Sequence, residues 1–298
     1  MTIYGTQYRP APYAPTSALR RLLPIVRLEF TSLFRSRWGI IAFCLCVFPS
    51  VIRLVMLLAW VGLLSFGGPV RRMQGNAPRE LQEMMPEGVR FYVEPIVAPE
   101  HGFMVFMLLT TLVTARAIAK DRSTNALEFY WTRGISPLGY FGAKWLGSFL
   151  LVSTMTVAAP LVLWVAGSLL SDDWTFLHDT VGFMPGVVAG LLVFTASLTF
   201  LCILLSAIAG SPNLAMILWC LLLGGSWAVG EMVQSMSRTA GVGSRISLFD
   251  AAGALARALA GIPQRGVSIG GAAALLLGVA AVLAALARRR LRLQEAVG

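Results

Sequence analysis

The chain has 298 residues, of which 57% are hydrophobic and only 13% are charged, and its formal net charge is +10. A water-soluble domain carries about 25% charged residues, so this composition excludes an ordinary soluble protein. It also excludes a disordered chain, a collagen-like repeat and a disulfide-stapled scaffold, because apolar residues are abundant, no Gly-X-Y period occurs and there are only four cysteines. The composition is that of an integral membrane protein.

A tail and an amphipathic helix are predicted before the first membrane span. Residues 1–16 are rich in Pro and Tyr and lack an apolar period, which predicts a flexible cytoplasmic tail. Residues 17–37 place apolar side chains at helical spacing and most of their charged residues elsewhere on the helix, which predicts an amphipathic helix in the membrane interface. Pro24 should either kink this helix or mark its start.

Six membrane spans follow, since a helix needs about 20 mostly apolar residues to cross a bilayer. Suitable runs lie near residues 38–64, 102–119, 145–170, 181–209, 214–230 and 267–287. The uncharged stretch 181–230 is too long for one span, and we predict a tight turn at its only cluster of helix breakers, Gly210-Ser211-Pro212-Asn213. The predicted fold is therefore an all-α integral membrane protein, with a six-span domain over 38–290 and a cytoplasmic tail over 291–298.

The distribution of Lys and Arg predicts the orientation, because cytoplasmic loops retain positive charge. If both chain ends face the cytoplasm, fifteen of the 24 Lys and Arg residues lie on that side and eight lie outside, with Arg53 within a span. We therefore expect cytoplasmic N- and C-termini. Topology and anionic lipid headgroups account for the net charge, and nucleic-acid binding is not indicated.

An additional helix is predicted outside the membrane between spans five and six. Apolar residues recur at helical spacing from Ile246 to Ile262, and Asp250 lies near the start of the pattern. The pattern is equally consistent with a helix on or partly in the outer membrane surface and with one packed on the protein's own outer ends.

Arg53 is the one charged residue deep within a predicted span, where burial costs about 2.5 to 3.5 kcal/mol. One interpretation is a contact with an anionic substrate, or with a charge partner across a subunit interface. The other is a structural arginine, satisfied by helix carbonyls, by Glu231 or by extension of its side chain toward the interface.

Enzymatic motifs are missing from the sequence. His101 and His178 do not have the spacing of a zinc site, and neither a Gly-x-Ser-x-Gly elbow nor a Walker A loop occurs. We expect serines within spans, such as Ser148, Ser153, Ser197 and Ser206, to hydrogen-bond a neighbouring helix. We predict no enzyme, no metal and no cofactor in this chain; if ATP is used, another subunit binds it.

The segment between spans two and three carries the most specific signal. Asp121 and Arg122 leave the membrane, a short amphipathic turn and a Gly/Pro break follow, and Lys144 precedes the next span. We predict a short cytoplasmic helix whose exposed aromatic and charged side chains fit a groove on a soluble partner. Its candidate residues are Asp121, Arg122, Leu127, Glu128, Phe129, Tyr130, Trp131 and Arg133. The alternative is a helix lying flat on the lipid, with Trp and Tyr at the interface.

This segment resembles the first cytoplasmic loop of the permease subunits of type-2 ABC transporters, the ABC-2 family. That loop has an acidic residue, then Gly-Thr-Leu-Glu, a turn containing Pro, and Gly-Lys. Asp121 matches the acidic residue, Leu127-Glu128 matches Leu-Glu, and Gly142-Ala143-Lys144 approximates Gly-Lys, whereas Asn125-Ala126 replaces Gly-Thr. The six-span plan, Arg27-Leu28-Glu29-Phe30 and Ser247-Leu248-Phe249-Asp250 extend the resemblance over nearly the whole chain.

The resemblance implies a permease, expected to be an exporter, in the bacterial inner membrane. Two permease chains, identical or homologous, would pair among the membrane lipids, and two cytoplasmic ATPase subunits would bind ATP and Mg and drive transport through the helix around Asp121 to Arg133. Lipid-linked glycans, drugs, peptides and metal-related cargo all remain candidate substrates. Two other functions stay open: a non-transporting membrane anchor of a complex, and a secondary transporter, for which Arg53 is the main evidence.

Overall fold

The computed structural model describes residues 18–35, 37–61, 85–127, 130, 135–171, 174–237, 242–264 and 268–295, and regular structure in these ranges is helical throughout. Helix α1 (Ala18–Ser32) and a 3₁₀ turn (Leu33–Arg35) precede α2 (Arg37–Val61). Pro24 lies inside α1, so it does not mark the start of the helix. The predicted tail over 1–16 lies outside the described residues.

The remaining helices follow in chain order. They are α3 (Val89–Val97), α4 (Pro99–Leu112), α5 (Ala117–Ser123), α6 (Pro137–Ser153), α7 (Ala159–Leu170), α8 (Thr175–Val181), α9 (Met184–Ile208), α10 (Pro212–Met236), α11 (Leu248–Leu259) and α12 (Ile269–Glu295). A π-helical turn, Thr154–Ala158, joins α6 to α7, and we call it the wide turn. Helix α12 continues five residues past position 290, the predicted end of the membrane domain.

Six helical stretches are long and apolar enough to cross a membrane, which confirms the predicted fold class. They are Gly39–Val61, Gly102–Ser123, Pro137–Leu170, Met184–Ile208, Pro212–Met236 and Ile269–Arg289. The predicted turn between spans four and five is also confirmed. There α9 ends at Ile208, and the Ser211 hydroxyl accepts a hydrogen bond from the Leu214 backbone N–H at 3.3 Å, which caps α10.

The third span begins eight residues before its predicted start at residue 145. Its 34 residues measure about 51 Å at 1.5 Å per residue, well over the bilayer core of about 30 Å. Its first turns therefore extend beyond the hydrocarbon. The prediction stopped at Lys144 because a charged residue indicates a loop, whereas this lysine lies within α6 between two carboxylates.

Helix α11 packs within the protein, which decides between the two interpretations of this segment. Leu248 and Phe249 on it are fully buried, and the backbone of α9 approaches it so closely that a methyl group on Gly190 would collide with the Ala256 carbonyl oxygen. The Ser247 hydroxyl caps the helix by accepting a hydrogen bond from the Asp250 N–H at 3.2 Å.

Aromatic rings fill the core where α4, α9 and α11 meet. The ring centroids of Phe106 and Phe194 lie 5.1 Å apart, and those of Phe194 and Phe249 lie 5.3 Å apart, both edge to face. Beside them the buried Trp219 of α10 donates its indole N–H to the Thr110 hydroxyl at 2.9 Å. This core holds the second, fourth and fifth spans together.

Candidate functional site

A buried group of charged and polar side chains joins α1, α5 and α6. The Lys144 Nζ lies 2.9 Å from Glu29 Oε2 and 2.9 Å from Asp121 Oδ2. The Tyr140 hydroxyl donates a hydrogen bond to the same Asp121 oxygen at 2.7 Å. The side chains of Lys144, Glu29 and Asp121 are only 3%, 6% and 15% exposed. We call these four residues, Glu29, Asp121, Tyr140 and Lys144, the ionic cluster.

The ionic cluster contains two carboxylates and one ammonium group, so it has a formal charge of −1 when all three are ionised. Burial raises the pKa of Glu29 above its ordinary value, because the loss of hydration outweighs the attraction of Lys144. Charge-assisted hydrogen bonds at these distances are strong in a site with little water. The cluster therefore fixes the relative positions of three helices that are distant in sequence.

A glycine allows α1 and α6 to approach each other. Tyr140, Lys144 and Gly147 lie three or four residues apart and therefore share one face of α6. A methyl group on Gly147 would lie 2.7 Å from the Glu29 Cβ and 2.9 Å from the Val26 carbonyl oxygen. Glycine at this position thus permits the contact that brings Glu29 to Lys144.

Helix α5 is also attached to α9. The Ser206 hydroxyl accepts hydrogen bonds from the backbone N–H groups of Ile118 and Ala119, both at 3.1 Å, and so satisfies free donors in the first turn of α5. At the other end of α5, Arg122 Nη1 donates to the Ala207 carbonyl at 3.4 Å. The predicted hydrogen bond between a serine in a span and a neighbouring helix is therefore present at Ser206. The Ser197 hydroxyl instead donates to the Phe194 carbonyl of its own helix, and the Ser148 and Ser153 hydroxyls have no hydrogen-bond partner among the described residues.

The structure describes four of the eight residues predicted for the segment after span two. Asp121 and Arg122 lie on α5, where the Asp121 carboxylate contacts the chain's own Lys144. Leu127, the apolar aliphatic member of the predicted amphipathic turn, has its side chain buried in the core. Tyr130 is half-buried, with its ring centroid 5.1 Å from that of Tyr140. The other four predicted residues, Glu128, Phe129, Trp131 and Arg133, lie outside the described residues.

The backbone at Asn125 explains one departure from the ABC-2 loop pattern. Asn125 has a φ of 55°, in the left-handed region. Glycine adopts this conformation without steric cost, and asparagine tolerates it better than most other residues. Asn125 stands where the family pattern has Gly, so the substitution retains the turn that ends α5.

Arg53 is buried in α2 and is 6% exposed. Its Nη1 atom is fully buried, and no hydrogen bond or ion pair to it is present among the described residues. Glu231, one of the partners considered from sequence, is exposed on α10. The structure therefore does not join Arg53 to the ionic cluster or to an acidic side chain in the described ranges.

Sequence reasoning missed three members of the ionic cluster. It placed Glu29 on the polar face of the amphipathic helix and assigned Lys144 to a loop, and it gave Tyr140 no role. One usable signal was the spacing of Tyr140, Lys144 and Gly147, which predicts a single helix face with two polar groups beside a residue that permits close packing. Nothing in the sequence pairs that face with Glu29, 115 positions from Lys144.

A comparison with protein-family models finds a match over most of the chain. A family described as "ABC-2 family transporter protein" matches residues 72–289, a range that includes Asp121, Tyr140 and Lys144. No curated protein and no solved structure matches the chain at a significant level. The family match covers well over half of the sequence and agrees with the six apolar helices. The chain therefore belongs to the ABC-2 family of transporter membrane proteins.

Proposed function

We propose that this chain is the permease subunit of an ABC exporter in the bacterial inner membrane. Members of the ABC-2 membrane family are typically non-catalytic permeases that act with an ABC ATPase. In this proposal two ATPase subunits bind ATP and Mg on the cytoplasmic side, and two permease chains, identical or homologous, form the path. No chemical step and no cofactor is assigned to this chain.

The ionic cluster is the observation that carries this proposal. It binds α5 to α1 and α6 through Asp121 and Lys144, while Ser206 binds the start of α5 to α9. A force applied just after α5 would therefore reach the third and fourth spans through short, buried contacts. Coupling by rigid movement of helices needs such contacts.

The eight predicted residues receive two roles in this mechanism. Asp121, Leu127 and Tyr130 act as positioning residues, since they hold the segment against the rest of the chain. We assign Arg122, Glu128, Phe129, Trp131 and Arg133 to the contact with the ATPase. Lys and Arg are in excess on the side of the membrane that carries both termini, and this supports a cytoplasmic location for the segment.

The test uses the permease reconstituted with its ATPase in liposomes. Asp121→Asn keeps the size of the side chain and an acceptor for Tyr140 but removes the charge that pairs with Lys144. Lys120→Gln, at an exposed position on the same helix, is the matched control. Two quantities are measured: ATP hydrolysis, and the ATP-dependent change in maleimide labelling of a cysteine placed at the exposed Trp174 in the loop between spans three and four.

We expect Asp121→Asn to retain ATP hydrolysis and to lose most of the ATP-dependent change in labelling, while Lys120→Gln retains both. An unchanged labelling response in Asp121→Asn would contradict coupling through the ionic cluster. A tagged permease that copurifies with no Walker-motif subunit would instead favour the membrane anchor or the secondary transporter.

A further inference from the structure

A small cleft lies between α2, α4 and the wide turn, and Arg53 lines it. Its other lining residues include Pro49, Ser50, Phe106 and Thr156. The cleft offers about 30 Å³ to molecules the size of water. One water needs about 10 to 15 Å³ by this measure, so a group of a few heavy atoms can enter, whereas the body of a larger ligand must remain outside.

The cleft has a positive charge without a counter-charge on its walls. The Arg53 guanidinium stays protonated under any physiological condition, and its side chain is more than nine-tenths buried with Nη1 lacking a partner among the described residues. None of the described residues that line the cleft is acidic. An uncompensated buried charge is costly, so the chemical complement of this cleft is an oxyanion. The Ser50 hydroxyl provides a further donor on the same wall.

The surroundings indicate where the rest of such a ligand would lie. Phe48, Ile52 and Met56 recur every four residues on α2, with exposed side chains, roughly 100° around the helix from the α2 residues that line the cleft. Since α2 is a candidate membrane span, this apolar stripe faces lipid or another apolar molecule. A ligand with a small anionic head and a long apolar body fits both features.

We propose that the Arg53 cleft binds the phosphate or carboxylate group of an anionic membrane amphiphile, whose apolar chains lie along α2. Arg53 contributes a planar pair of donors suited to two oxygens of one anionic group. The proposal goes beyond transport by an ABC complex, because binding at this site requires neither ATP nor the ATPase.

The test uses the purified full-length chain in the neutral detergent dodecyl maltoside. Phosphatidylglycerol, phosphatidylcholine and inorganic phosphate are added separately, and both the melting temperature and the lipid-bound species in native mass spectra are recorded. We expect phosphatidylglycerol alone to raise the melting temperature in a saturable way. Arg53→Gln should weaken phosphatidylglycerol binding at least about tenfold, as expected for the loss of a hydrogen bond to a charged group.

Arg116→Gln is the matched control, since Arg116 is an exposed arginine between α4 and α5. It should retain the response to phosphatidylglycerol. Equal responses in the wild type and in Arg53→Gln would overturn the proposal. A full effect of inorganic phosphate alone would overturn the assignment to an amphiphile and assign the cleft to a soluble anion.

Arg53→Met independently tests whether Arg53 has a charge partner within the chain. In detergent without anionic lipid this variant should melt at the same temperature as the wild type or higher, because it removes an uncompensated buried charge. A clear fall in its melting temperature under these conditions would show that Arg53 is already paired within the chain, and would overturn the proposal.

Discussion

Lys144 is the residue on which the ionic cluster depends. It is 2% exposed and is the one cation that contacts both Glu29 and Asp121 within the cluster. Removing it deprives two buried carboxylates of their shared positive charge, whereas neutralising Glu29 leaves Asp121 paired with Lys144. Substitutions of Lys144 and of Glu29 should therefore differ widely in their effect on the stability of the protein.

We expect Lys144→Met to destabilise the protein by about 3 to 5 kcal/mol, the usual cost of removing one partner from a buried ion pair. Glu29→Gln should cost less than about 1 kcal/mol, because Lys144 keeps Asp121 and the amide still accepts a hydrogen bond. Thermal unfolding of both variants in detergent measures the difference. Equal destabilisation by the two substitutions would argue against Lys144 as the residue that holds both carboxylates.

The pH dependence of stability tests the burial of Glu29. The pKa of Glu29 in the folded protein is raised above its ordinary value of 4.5. At a pH between the ordinary pKa and the folded pKa, folding is therefore accompanied by the uptake of a proton. The contribution of Glu29 to the unfolding free energy is therefore fully present below pH 4.5 and is lost as the pH rises through the folded pKa. Melting temperatures of Glu29→Gln, compared with the wild type across this window, should lack that decrease. A parallel decrease in both proteins would contradict the assignment to Glu29.

At the scale of helices, the packing of α1 on α6 depends on one position. Gly147 faces α1 at contact distance, while Gly142 on the same helix has no neighbouring atom within 4 Å of an added methyl group. The two glycines therefore form a matched pair. One lies in an interhelical contact, and the other has open space.

Gly147→Ala should destabilise the protein by about 1 to 3 kcal/mol, because the methyl group collides with the Val26 backbone and forces α1 away from α6. Gly142→Ala should be neutral or stabilise by up to about 1 kcal/mol, since alanine favours the helix. Melting temperatures of the two variants provide the comparison. Similar effects at both positions would mean that α1 does not pack closely on α6.

Much of the helical plan could be predicted from sequence, because apolar length alone identifies spans in a chain with so few charges. The turn at Ser211 and the cap at Ser247 also have local signals. The ionic cluster does not, since Glu29 and Lys144 each resemble a solvated charge until the fold brings them together. The burial of Leu127 in the core has no signal either, because an amphipathic pattern shows which residues share a face but not what that face contacts.

For the whole molecule, six spans place the two ends of the membrane domain on the same side of the bilayer. Ser123, at the end of α5, and Trp174, between α7 and α8, are exposed and are separated by the third span. They should therefore lie on opposite sides. From the excess of Lys and Arg we expect Ser123 to lie on the cytoplasmic side.

Cysteine labelling tests this arrangement. The four native cysteines are first replaced, since Cys44 is exposed. In this background Trp174→Cys should react with a membrane-impermeant maleimide in spheroplasts. Ser123→Cys should react only after the membrane is opened or inverted. Labelling of both positions from the same side would contradict the six-span topology.

The wide turn changes the direction in which the later side chains of the third span point around the helix axis. The π-helical turn contains one residue more than a regular α-helical turn, and this extra residue rotates all later residues by about 100° around the helix axis. Trp164 in α7 is therefore aligned for its 2.8 Å hydrogen bond to the Thr180 hydroxyl only when the extra residue is present. Deleting one residue between Thr154 and Ala158 would restore a regular helix and point the Trp164 indole in a different direction around the helix axis. The insertion thus sets the angular offset between the two halves of this span.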